Sequence, residues 1–502
     1  MKSYFRRILS CTLVTAFLLC TVPLDASAAA FSDVPADSWA ARDIERCVEL
    51  GLFQGETSTR FGMGHQMTRA AFAVVLCRLF RWEPVTPQEG TYQDVQDPAS
   101  WYFSAVETAY AHGAITRQTG TFRPGDPITR GEMAVMLVRA LGYGTIAGLA
   151  QELPMPFTDV ETGAGYISMA YELGIVSGTS ANTFSPDRTA TREQAAVMLM
   201  RLYDKYYAPA GGLVGLATGK DSGDWSGFEA VALTGGRLSY GSSVQLTRPA
   251  QEREEAFFAA AGAAGAKALL HVTGVSSALR GPAADAAGAI AAAAEAGGYD
   301  GVYLDFPELG EDRRTALTAL TAALKEDLGE KLLYVAALAP AWQEERAGAY
   351  DYAALCASAD RLVLRVAAYE KEAEGFVTAP LEPLEEVYYA LAELKGAVPA
   401  KKLALLLTTT GSGWKDGRRE SRVDAEEIAR LLEDQQDTEC YYSNRYACAY
   451  LICKGERSST AVWYLDGRGA RERARMCGFF GVNQICLSDL DSVSTDLLSG
   501  LQ

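Results

Sequence analysis

The feature that most constrains the fold of this chain is a segment that occurs three times. The copies begin at Phe31, Tyr92 and Phe157 and end by Tyr203, so the period is 61 to 65 residues. Each copy opens with an aromatic-x-Asp-Val tetrad and closes on a helix that starts with Thr-Arg; the aspartates are Asp33, Asp94 and Asp159, and the arginines are Arg69, Arg130 and Arg192. One such unit buries too little apolar surface to be stable alone, so the pattern predicts three copies packed on one another.

Each copy is predicted to fold as helix, loop, helix. In the second copy, Ser100 is expected to cap a helix that begins at Trp101. Proline and glycine in the segment 121–127 then forbid regular structure and predict a loop. The second helix follows this loop, with its apolar residues at helical spacing and facing a core.

The start of that second helix carries its own signal. Thr129 is followed three residues later by Glu132, which predicts a capping box in which each side chain accepts from the other residue's backbone. Thr191 and Gln194 repeat this arrangement, whereas Thr68 has no such partner. The capping box is therefore predicted in the second and third copies and not in the first.

The arginine of each Thr-Arg pair stands at the first helical position. Unpaired backbone N–H groups and the helix dipole already favour negative charge there, and a planar guanidinium adds two-point recognition of a carboxylate or phosphate. Three such arginines on an acidic protein predict three local anion sites. The alternative is that each arginine only pairs with a neighbouring acid, such as Asp33, Asp94 or Asp159.

At these residues the segment from Phe31 to about Tyr203 resembles three tandem S-layer homology (SLH) domains, whose pattern runs Phe-x-Asp-Val, Trp, Gly-x-Phe-x-Pro, Thr-Arg-Ala-Glu. In that family three copies form one pseudo-threefold unit that binds pyruvylated secondary cell-wall polymer non-covalently. The resemblance implies that the polymer-binding residues are Asp33, Trp39, Arg69, Asp94, Trp101, Arg130, Asp159 and Arg192. It also implies a protein located at the cell wall.

The chain departs from the SLH pattern at two places. The first copy has Gly62-Met63-Gly64-His65 where the family has its proline loop, and the third copy places Tyr166 near the tryptophan position. These departures leave open that one of the three grooves is idle.

The amino-terminal 28 residues are predicted to be a signal peptide. Three basic residues precede an apolar run over 8–22 that is too short to span a bilayer comfortably, and Ala26-Ser27-Ala28 offers a cleavage site. The alternative is an uncleaved anchor. No later stretch is long and apolar enough to cross a membrane, which predicts an exported protein held outside the lipid. A net charge of −17 argues against non-specific nucleic-acid binding.

Cysteine and histidine usage bears on disulfides and metals. Ten cysteines are present, two of them in the predicted signal peptide. The other eight are expected to be buried thiols or to form one or two disulfides, with a pairing that spacing alone does not determine. There is no Cys-x-x-Cys pair and there are three histidines, so neither a metal nor a cofactor is predicted.

These patterns divide the chain into successive parts. After the signal peptide (1–28), the repeats occupy 29–88, 89–150 and 151–205, a short linker covers 206–212, and a second domain covers 213–502. The predicted strands of that domain are Leu213 to Ala217, Phe228 to Leu233, Lys267 to Thr273, Gly301 to Phe306, Leu332 to Leu338, Arg361 to Ala367, Leu403 to Thr408 and Val482 to Leu487. Alanine-rich helices between them predict a (β/α)₈ barrel, with an open doubly wound sheet as the alternative. The segment 437–463, rich in Tyr and Cys, is expected to add one hairpin.

The fourth predicted strand carries the motif that bears on chemistry. Residues 300–309 read Asp-Gly-Val-Tyr-Leu-Asp-Phe-Pro-Glu-Leu, which resembles the family 18 glycoside hydrolases (chitinase-like), especially their spore-cortex branch. That family uses a glutamate as general acid while the acetamido group of the substrate attacks. The resemblance implies the catalytic residues Asp305, Glu308 and Tyr369, the last after the sixth strand, and an N-acetylhexosamine polymer such as peptidoglycan as ligand.

The departure from this motif matters most. Pro307 occupies the place of the acid and has no proton to donate, and Tyr303 replaces the middle Asp or Asn. Side chains alternate along a strand, so Tyr303, Asp305 and residue 307 share the face that points into the barrel, and Glu308 is out of phase. The leading hypothesis is a wall-anchored surface protein with a catalytically impaired, sugar-binding barrel. The alternatives are an active glycosidase that uses Glu308 and a structural S-layer subunit.

Overall fold

The fold was analysed in a computed structural model that describes residues 31–117, 120–150, 155–209, 211–219, 224–307, 309–340, 348–366, 378, 380–415, 418–434, 437–455 and 459–502, without the side chains of 419–421. The predicted signal peptide lies outside these residues. They divide into two compact units: the chain up to Ala140 with Thr183–Arg201, and Leu141–Asn182 with Leu202–Gln502. In the described part of the chain, no helix combines the length and apolar character needed to cross a bilayer.

The repeats fold as the predicted helix, loop, helix. Their helices are α1 (Ala41–Glu49), α2 (Arg69–Phe80), α3 (Phe103–Ala111), α4 (Arg130–Ala140), α5 (Gly144–Leu149), α6 (Ala164–Glu172) and α7 (Arg192–Tyr206). The capping box of α4 is present, since Thr129 Oγ1 accepts from the Glu132 N–H at 3.1 Å and Glu132 Oε2 accepts from the Thr129 N–H at 3.0 Å. Of the box predicted for α7, one half forms: Gln194 Oε1 accepts from the Thr191 N–H at 3.2 Å, but Thr191 Oγ1 is buried without a hydrogen-bond partner among the described residues.

The predicted cap of α3 is wrong. This helix begins at Phe103 after Tyr102, which makes no side-chain capping hydrogen bond. Ser100 instead belongs to a turn: its hydroxyl donates to Asp97 Oδ2 at 3.2 Å and its N–H donates to the Asp97 carbonyl at 3.0 Å. Asp97 Oδ1 also accepts a hydrogen bond from the Ala99 N–H. Because Ser100 is part of this Asx-type turn, it does not cap the helix, which starts later.

A closed ring of three backbone hydrogen bonds joins the copies within the first unit. The Met67 N–H donates to the Ala190 carbonyl at 2.9 Å, the Ala190 N–H to the Ile128 carbonyl at 2.9 Å, and the Ile128 N–H to the Met67 carbonyl at 2.8 Å. These residues stand two positions before the three motif arginines, and all three are buried. The copies therefore pack on one another as the repeat predicts, each contributing one equivalent segment to the centre.

The second unit contains a closed barrel of eight parallel strands. They are β1 (Gly212–Ala217), β2 (Phe228–Tyr240), β4 (Lys267–Thr273), β5 (Gly301–Asp305), β6 (Leu332–Leu338), β7 (Arg361–Arg365), β8 (Leu403–Leu407) and β14 (Gln484–Leu487), with β3 (Val244–Thr247) added antiparallel to the extended end of β2. Strand β1 pairs in parallel with both β2 and β14, so the sheet closes and the open doubly wound alternative is excluded. The (β/α)₈ prediction is confirmed.

Helices lie between the strands along the chain. They are α8 (Gln251–Ala264), α9 (Ala283–Gly297), α10 (Arg314–Leu328), α11 (Tyr352–Ser358), α12 (Leu384–Leu394), α13 (Ala425–Glu433), α14 (Gly467–Phe479) and α15 (Thr495–Leu501), with short 3₁₀ turns at Ser276–Arg280, Glu311–Arg313, Ala400–Lys402 and Leu490–Ser492. The barrel interior is filled by side chains of alternating strand positions, among them Val214, Leu216, Ala230, Ala232, Leu269, Tyr303, Tyr334, Ala336, Val363, Ala404 and Cys486. Tyr303 therefore points inward, as the strand phase predicts.

The insertion is larger than the predicted hairpin. Strands β9 (Gly411–Lys415), β10 (Arg418–Val423), β11 (Thr438–Ser443), β12 (Cys448–Lys454) and β13 (Ser459–Tyr464) form an antiparallel sheet in the order β10-β9-β13-β12-β11. Residues of α13 and of this sheet form one apolar cluster that includes Ile428, Leu451 and Val462. Strand β9 reads Gly-Ser-Gly-Trp-Lys and lacks the β-branched alternation typical of strands, which is why the sequence did not indicate it.

None of the eight cysteines outside the predicted signal peptide forms a disulfide in the described structure. Cys448, Cys477 and Cys486 are fully buried, and burial raises the pKa of each thiol to about 12. These thiols therefore behave as small apolar side chains.

Candidate functional site

The first candidate site is formed where the copies of the repeat meet. In each case the helix that starts with Thr-Arg in one copy contacts, in the next copy, the loop at the Gly-x-Phe-x-Pro position. We call each such contact a junction. Within the first unit, each motif arginine crosses a junction to a phenylalanine. The Nε atoms donate to backbone carbonyls as follows: Arg69 to Phe122 at 2.7 Å, Arg130 to Phe184 at 3.0 Å and Arg192 to Phe61 at 2.9 Å.

Each guanidinium also stacks on the ring of the same phenylalanine. The distances from the guanidinium carbon to the ring centroid are 4.9 Å for Arg69, 4.6 Å for Arg130 and 4.9 Å for Arg192. A carbonyl bond and a cation–π contact together fix the direction of a long, flexible side chain. The arginines are therefore rigid parts of the junctions.

The motif aspartates hold the loops on which the arginines pack. Asp33 accepts from the backbone N–H of Phe61, Gly62 and Met63 at 2.8, 2.7 and 3.0 Å. Burial would raise the pKa of Asp33, but these N–H groups outweigh it and lower the pKa. The carboxylate is therefore a structural acceptor for the loop in this first copy.

Asp94 holds the corresponding loop of the second copy, since it accepts hydrogen bonds from the N–H of Phe122 at 2.7 Å and of Arg123 at 2.6 Å. The residue after the phenylalanine has positive φ in all three copies: Gly62 at 88°, Arg123 at 60° and Ser185 at 59°. The first copy thus keeps this backbone feature although it lacks the proline. Asp159 opens the third copy in the second compact unit.

The junctions differ in charge. Arg69 Nη1 lies 2.6 Å from Glu132 Oε1, and Arg123 Nη2 reaches the same oxygen at 2.5 Å. Arg192 Nη2 instead donates to the Gln54 carbonyl at 2.8 Å. The acid that pairs with Arg69 is thus Glu132. The motif aspartates Asp33 and Asp94 are hydrogen-bonded to the backbone of the loops in their own copies.

The two tryptophans predicted to bind polymer are exposed. Trp39 precedes α1 and Trp101 precedes α3, and 63% and 67% of their surfaces are accessible. Tyr166, which stands near this position in the third copy, is half-buried. An exposed indole contributes nothing to a core, so these side chains are available to an external partner.

The second candidate site is the barrel mouth, by which we mean the carboxyl ends of the eight barrel strands. Asp305 ends β5, and its Oδ1 lies 2.6 Å from Nη1 of Arg365, the last residue of β7. The other oxygen, Oδ2, lies 3.6 Å from Nε2 of His271 on β4. The three side chains are 15%, 17% and 10% exposed, so this ion pair is largely shielded from water.

Arg365 has further partners at the mouth. Its Nη2 lies 3.5 Å from both the Tyr350 hydroxyl and the Phe306 carbonyl, and the Tyr350 hydroxyl itself donates to that carbonyl at 3.1 Å. Burial alone would raise the pKa of Asp305, but Arg365 and His271 reverse this effect and lower it. The carboxyl is therefore an ionised, paired group.

The other predicted residues of this site have different positions. Tyr303 is fully buried below Asp305, with its hydroxyl 4.0 Å from Cys486 Sγ, and burial raises its pKa well above the ordinary value. Pro307 is exposed. Glu308 and Tyr369 lie outside the described residues. Within the described ranges, no group of three or more His, Cys, Asp or Glu side chains is arranged to hold a metal ion.

Arg365 and His271 were not among the predicted site residues. Each is two positions beyond a residue of the barrel interior, Val363 on β7 and Leu269 on β4, so each shares the inward face of its strand. A charged or polar residue at an inward-facing position near the carboxyl end of a barrel strand indicates a site residue, and this pattern is visible in the sequence.

The repeats and the barrel domain each resemble known proteins. The family model of the S-layer homology domain matches residues 30–73, 91–134 and 156–196. An amylopullulanase of Thermoanaerobacterium thermosulfurigenes is 32% identical over 181 residues, which cover 35% of this chain and 10% of the relative. An S-layer protein of Bacillus thuringiensis subsp. finitimus is 28% identical over 201 residues, which cover 39% of this chain and 24% of the relative. The chain thus matches a minor part of the length of these curated relatives.

Solved structures resemble the second half. A chitinase from Chromobacterium violaceum has a TM-score of 0.50 at 16% identity and covers 58% of this chain and 98% of its own. The Bacillus cereus spore cortex-lytic enzyme SleL has a TM-score of 0.50 at 15% identity and covers 58% and 74%. At these identities the likeness shows the fold. The chain therefore carries three S-layer homology domains followed by a (β/α)₈ barrel with the fold of these glycosidases, and it is a secreted, cell-wall-anchored protein of the cell surface.

Proposed function

We propose that the three S-layer homology domains hold this protein non-covalently on an acidic, pyruvylated cell-wall polysaccharide, and that its barrel binds an N-acetylhexosamine glycan without hydrolysing it. The observation that carries the anchoring is the ring of junctions. It places three rigid guanidinium groups at equivalent positions, beside loops fixed by Asp33 and Asp94. Repeated weak sites on one rigid body bind a repetitive polymer more firmly than any single site would.

The absence of hydrolysis is inferred from the barrel mouth. Proline at 307 has no ionisable group where the family places its general acid. The neighbouring carboxylate, Asp305, is engaged by Arg365 and is not free to serve a substrate. What remains are the groups of a binding site: a shielded ion pair, a histidine and the tyrosine Tyr350.

Wall binding tests the anchoring. The exposed Trp39 and Trp101 can be changed without disturbing a core, unlike the arginines, so we expect W39A/W101A to fold as the wild type does but to sediment with purified cell walls at least about tenfold less, since about 1.4 kcal/mol corresponds to tenfold. Leu432→Ala removes an exposed apolar side chain of α13 and is the matched control. Undiminished sedimentation of the folded double variant would contradict the proposal.

The arginines give a second test of the same site. We expect R130Q/R192Q to release the protein from polymer-bearing walls, because both guanidinium groups lose their charge. Since each arginine also binds a carbonyl, the unfolding transition of the variant must be measured beside its wall binding. A folded R130Q/R192Q protein that sediments like the wild type would count against the anion contact.

Turnover and binding of glycan oligomers test the barrel. We expect chitin and peptidoglycan oligomers to bind the full-length protein, as seen by calorimetry, with no cleavage products by mass spectrometry. Hydrolysis that is lost in E308Q would instead favour an active glycosidase. Ordered two-dimensional arrays of the purified protein, with no glycan bound by the barrel, would favour a structural S-layer subunit.

A further inference from the structure

We infer that Arg365 is a positioning residue that holds the Asp305 carboxylate away from its part in hydrolysis, so that an acid restored at position 307 is not enough to restore hydrolysis. The inference rests on the proposed non-hydrolytic barrel and adds a second, independent cause to Pro307. It assigns a role to a side chain that the fourth-strand motif does not include.

The geometry of Arg365 supports this role. Its side chain leaves β7 on the inward face and crosses the mouth to Asp305, with 2.6 Å between Nη1 and Oδ1. The second nitrogen, Nη2, faces the Tyr350 hydroxyl and the Phe306 carbonyl, each at 3.5 Å. One planar guanidinium thus contacts the carboxylate, the backbone just after it and a buried tyrosine, and a charge-assisted bond of this kind is both strong and directional.

The surroundings give Asp305 few alternatives. Its second oxygen is 3.6 Å from His271 Nε2, beyond hydrogen-bonding distance, and both ring nitrogens of His271 are buried without a hydrogen-bond partner among the described residues. The carboxylate is therefore hydrogen-bonded to Arg365 and not to His271. With 15% of its side chain exposed, water competes weakly for it.

This arrangement conflicts with substrate-assisted hydrolysis. In that reaction the general acid gives its proton to the leaving glycosidic oxygen as the bond from C1 to that oxygen breaks, and the acetamido oxygen bonds to C1. The aspartate accepts a hydrogen bond from the acetamido N–H and so supports the attack. Water then adds at C1, breaks the bond to the acetamido oxygen and returns a proton to the acid. In the inferred arrangement, a carboxylate whose Oδ1 is held by Arg365 is not free to rotate toward the acetamido N–H.

The test compares four full-length proteins: wild type, P307E, R365M and P307E/R365M. The substrate is a chitotriose glycoside that releases a fluorescent alcohol on cleavage. We expect P307E to release no more than the wild type, and P307E/R365M to exceed P307E by about 100-fold, in the range that a positioned acid–base group contributes. Arg361, at the other end of β7, gives the matched control: P307E/R361M should stay at the level of P307E.

A second measurement covers the case in which R365M folds poorly. R365Q keeps a hydrogen-bonding amide and removes the charge, and it replaces R365M if thermal unfolding shows a loss of structure. In protein labelled with ¹³C at the aspartate carboxyl, Asp305 is assigned by the signal missing from D305N. We expect it to titrate at higher pH in R365M or R365Q than in wild type and R361M, because the compensating charge is gone.

Either of two outcomes overturns the inference: release by P307E that equals release by the double variant, or an Asp305 titration that the Arg365 substitutions leave unchanged. Failure of the proposed function looks different. If the wild type itself cleaves the substrate, the barrel is an enzyme, whereas the role of Arg365 is still decided by the ratio between the variants.

Discussion

Asp33 and Asp94 show at the scale of one residue why a motif is not yet a site. Resemblance to the SLH family predicts that both bind polymer, and each accepts two or three hydrogen bonds from backbone N–H groups in the loop of its own copy. Contact of these aspartates with polymer remains a prediction. Their shared position in the repeat was visible in the sequence, but the bond partners, 28 to 30 residues away, were not.

Removal of the Asp33 charge should destabilise the first copy. We expect D33N to lower the free energy of unfolding by about 2 kcal/mol, since an amide can accept fewer of the three N–H bonds and leaves a buried donor unpaired. Denaturant unfolding measures this loss, and Asp37→Asn, at an exposed position four residues on, is the control. Equal effects of the two substitutions would contradict the structural role of Asp33.

The same pair of proteins gives a pH dependence. The folded-state pKa of Asp33 is lowered, so its contribution to stability is fully present above the unfolded-state pKa and is lost as pH falls through the folded-state pKa. We expect the stability difference between wild type and D33N to be constant near neutrality and to shrink only below the usual pKa of 3.8. A difference that persists at the lowest pH at which both fold would argue against it.

At the scale of elements, the sequence predicted most of what period and capping can reveal. Seven of the eight barrel strands were predicted within two residues of their observed bounds, because buried parallel strands read as apolar runs between alanine-rich helices, whereas β2 runs seven residues beyond its predicted end, to Tyr240. The capping box of Thr129 and Glu132 was also found. The start of α3 was missed because a turn at Asp97 competes for Ser100, and β9 was missed because its pairing partners, not its own residues, make it a strand.

Glu132 joins two elements, since it caps α4 and pairs with Arg69 across a junction. We expect E132Q to keep the cap and lose only the ion pairs with Arg69 and Arg123, which together cost about 1 kcal/mol, and E132A to lose the cap as well and cost about 1 kcal/mol more. Unfolding free energies of the two variants test this order. Equal losses in E132Q and E132A would show that the cap is not used.

At the scale of the whole molecule, the compact units do not follow the boundaries of the repeats. Residues Leu141–Asn182, which comprise the end of the second copy and most of the third, belong to the unit that contains the barrel. Within that unit, Lys205 Nζ donates to the Phe479 carbonyl at 2.9 Å and to the Leu173 carbonyl at 2.8 Å. The sequence placed a linker at 206–212, and no local pattern could show that Lys395, just after α12, donates to the Glu172 carbonyl at the end of α6, because these residues lie more than 200 positions apart.

Loss of Lys205 should therefore loosen two distant segments together. Burial and the nearby Lys395 ammonium lower the pKa of its own ammonium group, which donates to the carbonyls of Leu173 and Phe479. We expect K205A to cost about 2 kcal/mol and to raise amide hydrogen exchange both in α6 and in α14. Lys401→Ala, at an exposed position, is the control. Faster exchange in α6 alone would contradict a shared unit.

The closed circuit through Met67, Ala190 and Ile128 has a consequence for how such a protein can change over time. Every copy is donor to one neighbour and acceptor for the other, so no copy is terminal and none is spare. Deleting one copy would leave a backbone N–H on one remaining copy and a carbonyl on the other without their partners. Inserting a fourth copy would require a wider ring, with a different angle at every contact. Copy number in this architecture is therefore fixed at three, and duplication can add only whole trios.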